Sequence, residues 1–529
     1  MKKWISLAVT AVILFIMIGC SKNTQPKPFS MQNSDTDFTL SLLSDSLDRD
    51  NIFTNRDVSA SYDDKVYNIT LADNKSSSDN KKVEIDGNVI TITNTGTYII
   101  KGSLSNGQLV VDADDTDKIQ LVFSGVEICN ASTAALNIIE AKKVFITVAE
   151  KSKNTLSTTK EFVKTEDNKA DGVIYSKQNV TLNGSGELYI ESPYGHGIVC
   201  NDDLVITNGN YNINAGKHCI KANDNINIAG GKFALTAGKD AFHCDNDQDK
   251  DKGNIYIQKA DASISAEDDA IHASGYIIMD DGNITISNSY EGIEAEKIEI
   301  NGGKISLKAT DDGLNAASNS SNDENQADKS NPFNTDENCY INIAGGDLVI
   351  DTDGDGIDSN GYLQQTGGNV TVYGAENSGN GALDYDISAK ITGGKMVAFG
   401  YSGMAQGFGI ASTQGSMLIC FDRETTDALI LTDNKGNQLI TAKTNKKYNS
   451  VAISTADILK GKTYTVSAGS QSKTIKMDEI TYTDSNAFGG KHGDGKNFDG
   501  GKPRENGEMP NGNPPELPSE RNENADKAI

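Results

Sequence analysis

Seven short stretches of this chain set a polar residue at one fixed place in a repeat. They read Gly195-His196-Gly197-Ile198, Lys217-His218-Cys219-Ile220, Lys239-Asp240-Ala241-Phe242, Asp268-Asp269-Ala270-Ile271, Tyr290-Glu291-Gly292-Ile293, Asp311-Asp312-Gly313-Leu314 and Gly354-Asp355-Gly356-Ile357. Steps between the second residues are 22, 22, 29, 22, 21 and 43, and that residue is an acid in five of the seven. A second set lies three residues on: His243, His272, Glu294, Asn315 and Asp358, continuing to Asp384. If the repeats stack about 4.8 Å apart, as neighbouring strands do, each set becomes a column. Adjacent units of the two columns then offer several carboxylate and amide oxygens to one point, the donor type calcium takes. Two unscreened carboxylates at that spacing repel by roughly 3–4 kcal/mol at an effective dielectric of 20, and by about 1 kcal/mol or less in water and salt.

The set with the most oxygen donors is Asp269, Glu291, Glu294, Asp312, Asn315, Asp355 and Asp358, and these are the candidate calcium ligands. The earlier units carry His, Lys and Cys at equivalent places and are poorer in oxygen. A purely structural reading competes with the metal: Asp and Asn at turns bond their own backbone. Asp351-Thr352-Asp353-Gly354-Asp355-Gly356 also resembles the start of an EF-hand loop. Its eighth position is Asp358 and its twelfth Tyr362, where an apolar residue and Glu belong, so the repeat reading prevails.

The elements that position these columns follow from periodicity. Asn225–Ile228, Lys232–Leu235, Asn283–Ile286, Tyr340–Ile343 and Asn369–Val372 alternate apolar and polar residues, the period of short strands with one face buried. A fixed period near 22 residues means a solenoid. The runs are too short and too rich in Gly, Asn, Ile and Val for helical repeats. The expected fold class is therefore all-β, a right-handed parallel β-helix over residues 55–410, starting in degenerate form near Leu109. A polar insertion is expected at 318–338. Strands without the repeat at 417–421, 428–431, 450–453 and 462–467 predict a β-rich C-terminal cap over 411–483. Cys219 falls in a slot otherwise held by Gly and Ala, and Cys200 and Cys244 in an Ala slot two coils apart. They read as small core residues rather than a disulfide framework.

The ends differ. Residues 1–20 have a basic start, an apolar run and Met17-Ile18-Gly19-Cys20, the layout of a secretory signal ending in a bacterial lipobox. Cys20 is the expected lipidation site, so contact with a membrane is expected only through this anchor, at the extracellular face of the bacterial cell membrane. Residues 21–54 are polar and read as a disordered tether. Residues 484–529, rich in Gly, Pro and Asn, read as a disordered tail. The formal net charge of −26 argues against nucleic acid.

Gly96–Leu104, Leu109–Ala113, Ile119–Val126, Ala170–Ser176, Leu182–Leu188, the repeated Asp-Gly-Ile units and Leu459–Tyr464 together carry a likeness. Over about residues 55–480 the chain resembles the carbohydrate-binding family of clostridial and related Firmicute surface lipoproteins, whose fold is pectate-lyase-like. The resemblance implies calcium-assisted binding of acidic plant cell-wall polysaccharide, particularly polygalacturonic acid (pectin), without demonstrated cleavage. It carries no ligand residues over.

Catalysis is the competing expectation. Pectate-lyase-like enzymes take a proton beside calcium with a base, usually Arg, yet no Arg occurs between Arg56 and Arg423. Lys221 or Lys239, near Asp240 and Asp245, would be the substitute. Gly195-His196-Gly197 matches a short polygalacturonase motif, but the order relative to paired acids is reversed and Arg-Ile-Lys is missing. No catalytic residue is assigned. The only Trp is Trp4, so sugar stacking would fall to tyrosines, with Tyr290, Tyr373 and Tyr385 the carbohydrate-binding candidates, and Tyr194 and Tyr401 further possibilities. The reading is a lipid-anchored, calcium-dependent polysaccharide binder. A lyase with a Lys base and a structural or adhesive surface protein are the alternatives. The sequence leaves the oligomeric state open.

Overall fold

A strand whose apolar pattern recurs 22 residues later finds in its own copy a partner of matching shape, and the pairing follows that rule. The computed structural model describes residues 37–62, 65–166, 168–318, 335–485 and 487. The expected signal, Cys20, most of the insertion and nearly all of the tail lie outside these residues. The chain is all-β, dominated by one long, mostly parallel sheet.

Three parallel ladders make up the repeat region. The first stacks Lys153–Thr158, Glu187–Ser192, Asn210–Ala215, Lys232–Ala237, Asp261–Ala266, Asn283–Asn288, Lys304–Ala309, Asp347–Thr352, Asn369–Tyr373 and Lys395–Gly400. The second runs from Gly172–Ser176 through His196–Cys200, Ile220–Ala222 and Phe242–Cys244 to Leu314–Ala316 and Ile357–Ser359, using the starts of Ile271–Met279 and Ile293–Ile300. The third includes Val180–Gly184, Asn225–Ile228, the ends of the same two long strands, Tyr340–Ile343, Tyr362–Gln365 and Ser388–Ile391.

Each turn of chain thus gives one strand to each ladder; in the first ladder every second residue is buried, whereas several strands of the other two are buried along their whole length. Ile213, Leu235, Ile264, Ile286, Leu307, Ile350 and Val372 form one such continuous buried column. Cys200, Cys219 and Cys244 lie in the same core, fully buried. Glycine is required at the turn into the first ladder. Gly346 has φ +87°, and a Cβ there would come within 2.9 Å of the Gly303 carbonyl in the preceding coil.

The parallel stack ends by a change of direction. Tyr448–Ser454 pairs antiparallel with Lys395–Gly400 and with Ser416–Thr425. A four-stranded antiparallel sheet of Leu429–Asp433, Gln438–Ala442, Thr463–Ala468 and Gln471–Lys476 adds its own core around Leu431, Tyr448 and Val466. The strands expected of the cap all fall here. They cover the last coil's otherwise open edge.

Composition placed residues 21–54 in a tether, but the part from 37 onward packs along the third ladder. It contains three one-turn helices, Leu43–Ser46, Arg49–Ile52 and Asn55–Val58. The Phe38 ring lies 4.7 Å from that of Tyr362, Leu43 donates to Glu299 at 2.6 Å, and Arg49 pairs with Asp280 at 2.7 Å. Asp57 accepts from Thr181 at 2.6 Å and pairs with Lys143 at 2.7 Å. The strap crosses successive coils and covers polar groups facing away from the core, Glu299 among them, which it leaves fully buried. Its contacts are mostly polar to polar, so hydrophobic patterning carries no trace of them.

Candidate cation-binding columns

Strand pairing puts the two columns where the repeat predicts. Lys221, His243, His272, Glu294, Asn315 and Asp358 are register partners in consecutive coils of the second ladder. Three residues before each lies the first column, from His218 to Asp355.

The first column has a job that the sequence does not announce. Except at Glu291, which accepts from Asn315 Nδ2 instead, each side chain accepts a hydrogen bond from the backbone N–H at the same place in the next coil. His218 N–H donates to His196 Nδ1 at 3.3 Å, and Asp240 N–H to His218 Nδ1 at 3.2 Å. Asp269 N–H donates to Asp240 Oδ1 at 3.2 Å, Glu291 N–H to Asp269 Oδ1 at 3.1 Å and Asp355 N–H to Asp312 Oδ1 at 2.6 Å. Gly381 N–H donates to Asp355. A corner has no ladder partner for this amide, so the side chain supplies one. The position therefore favours an acceptor, which explains why both His and Asp occur there. Turn chemistry is part of the answer, though the bonds reach the neighbouring coil rather than the residue's own backbone.

Capping uses one carboxylate oxygen and leaves the other facing the second column. The seven candidate ligands do not form one patch. Carboxylate oxygens of Asp269, Glu291 and Glu294 lie within 4.8 Å of one another, and those of Asp312, Asp355 and Asp358 form a separate group within the same distance. Asn315 stands between them, donating to Glu291 at 2.9 Å.

The two clusters differ in what neutralises them. In the first, His272 Nδ1 lies 2.5 Å from Glu294 and 3.5 Å from Asp269. Burial disfavours a charged imidazole, yet these two acids outweigh it and raise His272 to about 11. Burial likewise opposes ionisation of Glu294, but His272 holds that carboxyl below its ordinary range. Glu291, farther from the imidazole, is pushed up to about 9 by burial and by Glu294. The second cluster has no such partner: among the described residues no Lys, Arg or His pairs with Asp312, Asp355 or Asp358. Burial raises Asp312 to about 7 and Asp355 to about 6, each with help from neighbouring acids. Asp358 is driven well above the carboxylate range by burial and by Asp384, itself raised to about 6.

Two features fit a hard cation here. A Cβ at Gly354 would come within 2.6 Å of the Asp312 carboxylate, so glycine keeps that space open. Gln406 donates to Asp384 while its own Oε1 is buried without a partner. All donors are oxygens, the set calcium prefers.

The earlier units are built differently. His196, His218, His243 and His272 form a stack with ring centroids 5.0, 4.1 and 5.1 Å apart. Asp240 lies 2.6 Å from His243 Nδ1 and 3.3 Å from His218 Nδ1. Lys221 shares a register with His243, whereas Lys239 is exposed on the turn. Of the candidate sugar-stacking rings, Tyr290 is 49% exposed beside Glu291. Tyr373 is half-buried against Phe399. Tyr385 is a correction: its ring is in the core and its hydroxyl bonds Gly407 O at 2.5 Å, so it has no free face for a sugar. Its position between Asp384 and Asp386 hid the fact that it points inward.

Comparison with known proteins finds three likenesses. Residues 86–326 match the family model described as "Carbohydrate-binding domain-containing protein". A curated protein of the same description from Acetivibrio thermocellus is 34% identical over 147 residues, 26% of this chain and 51% of the relative. The chain thus spans about half the length of that relative. A solved chain described as the polysaccharide lyase-like protein from C. thermocellum, gadolinium derivative, is 27% identical and aligns with a TM-score of 0.41, covering 47% of this chain and 96% of that one.

Proposed function

We propose that this chain is a non-catalytic, lipid-anchored surface protein that binds acidic, pectin-like polysaccharide through calcium. In this reading the stacked coils are a right-handed parallel β-helix, Cys20 carries the lipid, and the protein sits on the outer face of the bacterial cell membrane. The observation that carries the reading is the Asp312–Asp355–Asp358 group, three convergent carboxylates with no cationic side chain among the described residues to neutralise them. Asp384 and Gln406 border it. Calcium bound there supplies positive charge at which a uronate carboxylate can be held. Asp312 and Asp355 are oriented by their bonds to the next coil, so these oxygens are preorganised. Tyr290 offers an exposed ring one coil away. The family description of residues 86–326 supports a carbohydrate as the ligand.

The absence of Arg from the repeat region supports binding over cleavage. The test incubates the protein with polygalacturonate, with and without a chelator. Retention that disappears with chelator is the expected result. Release of unsaturated product would replace the reading with a lyase, and retention indifferent to chelator would remove calcium from it.

A further inference from the structure

The first ladder carries on its outer side a pattern that neither the core nor the acid columns require. The residue that opens each strand stacks, coil after coil, as Lys153, Glu187, Asn210, Lys232, Asp261, Asn283, Lys304, Asp347, Asn369 and Lys395. Cation, anion and amide follow in that order three times over, and nearly all are exposed. Like charges side by side destabilise a sheet, but simple alternation would avoid that equally well. Nor do the lysines pair with the acids stacked beside them. Lys153 lies over the Tyr189 ring at 4.3 Å, Glu187 takes the Tyr189 hydroxyl at 2.9 Å, and Asp347 takes Asn369 Nδ2 at 2.8 Å. The charges are free to meet something else.

A row that repeats as plus, minus, neutral is complementary to itself in one orientation only. Facing a parallel copy in register, Lys meets Lys; shifted by one coil, only every third position matches. Facing a copy with reversed coil order, every plus can meet a minus and every Asn an Asn. A two-fold axis lying along the strand direction performs that reversal while keeping the row opposite itself. The register of greatest overlap places the axis at Asn283. Lys232 then faces the other copy's Asp347, Asp261 its Lys304, and Asn210 its Asn369.

We propose that this sheet face is a docking surface for a second copy of the chain, in that two-fold register. The adjacent outward row is compatible: Ala234 comes opposite Val349, Ser263 opposite Ser306, and Thr285 opposite itself. None of these is charged or bulky, so two sheets can approach. The cap buries Val397 and Phe399 on the outward side of the last strand, so the open face in this register is the seven coils from Asn210 to Asn369. At about 4.8 Å per coil and three outward residues across, that is about 450 Å² per copy. Doubled, it is below the usual size of specific interfaces, so the dimer is weak and salt-sensitive.

The test is a charge swap read by sedimentation velocity of the full chain at low salt. The wild type is expected to show a concentration-dependent dimer that dissociates at high salt. Lys304→Glu or Asp261→Lys alone sets like charges opposite at two symmetry-related places and should weaken association by about tenfold or more. The double variant restores the pairing across the axis and should recover the dimer. These residues are two coils apart within one chain, so rescue reports contact between copies rather than within one. A wild type that stays monomeric at low salt overturns the proposal, as does a dimer indifferent to the single reversals. Single reversals that alter retention on polygalacturonate with no change in sedimentation would assign the row to a glycan instead and equally overturn it.

Discussion

His272 Nδ1 lies 2.5 Å from Glu294 Oε2, and this one contact separates two acid clusters that are nearly equivalent in sequence. It gives Asp269 and Glu294 an internal cation, whereas Asp312, Asp355 and Asp358 have none among the described residues. The chain itself therefore compensates one cluster and leaves the other without a counter-charge among the described residues.

Replacing His272 with Gln should make the first cluster resemble the second. The variant is expected to lose about 2–3 kcal/mol of stability without calcium, less than the full buried-pair penalty because Glu294 keeps some solvent contact. Isothermal titration should then count one calcium more than in the wild type. An unchanged count would show that Asp269 and Glu294 take no part in metal binding.

Asp358 belongs to the second column and caps no backbone amide of the next coil. Asp358→Asn should accordingly lower calcium affinity by about tenfold or more while leaving the fold intact. Asp312→Asn keeps an acceptor for Asp355 N–H, whereas Asp312→Ala does not. The Ala variant should melt lower than the Asn variant even in chelator, by about 1 kcal/mol for the orphaned donor. Equal melting of the two would argue against the capping role.

The raised carboxyls predict a pH effect with a definite sign. Between the ordinary carboxyl range and about pH 7, native Asp312 and Asp355 bind protons that the unfolded chain has released. Stability in chelator is therefore expected to fall as pH rises through this window. Calcium bound as proposed would replace those protons, so it should raise the melting temperature more at pH 8 than at pH 5. Melting curves at the two pH values, with and without calcium, check this directly; a calcium shift as large at pH 5 as at pH 8 would count against it.

The strap offers a stability test remote from the columns. Asp57 is almost fully buried, pairs with Lys143 and closes a capping box with Thr54. Asp57→Ala should cost about 3 kcal/mol by leaving a lysine and two hydroxyls unpartnered. Thr54→Ala should cost about 1 kcal/mol, the usual loss of an N-cap. Increased proteolysis within residues 37–58 would accompany both if the strap detaches before the coils unfold.

Much of the architecture was legible in the residues alone, because a parallel ladder pairs each strand with its own copy. Equivalent positions from His243 to Asp358 could be aligned by counting, and the pairing of the second ladder places them in one column. The cap was visible as strands lacking the repeat. The tertiary structure alone decided which way each side chain faces at a corner, hence the inward turn of Tyr385 and the capping bonds of the first column. It also decided which charges neutralise each other, since the reach of His272 to Glu294 spans a gap between coils that spacing cannot measure. The strap was hidden for a related reason: its polar residues gain partners only once the third ladder exists to supply them. Periodicity records what is buried in common by every coil; the balance of charge at one point depends on three-dimensional neighbours that differ from coil to coil.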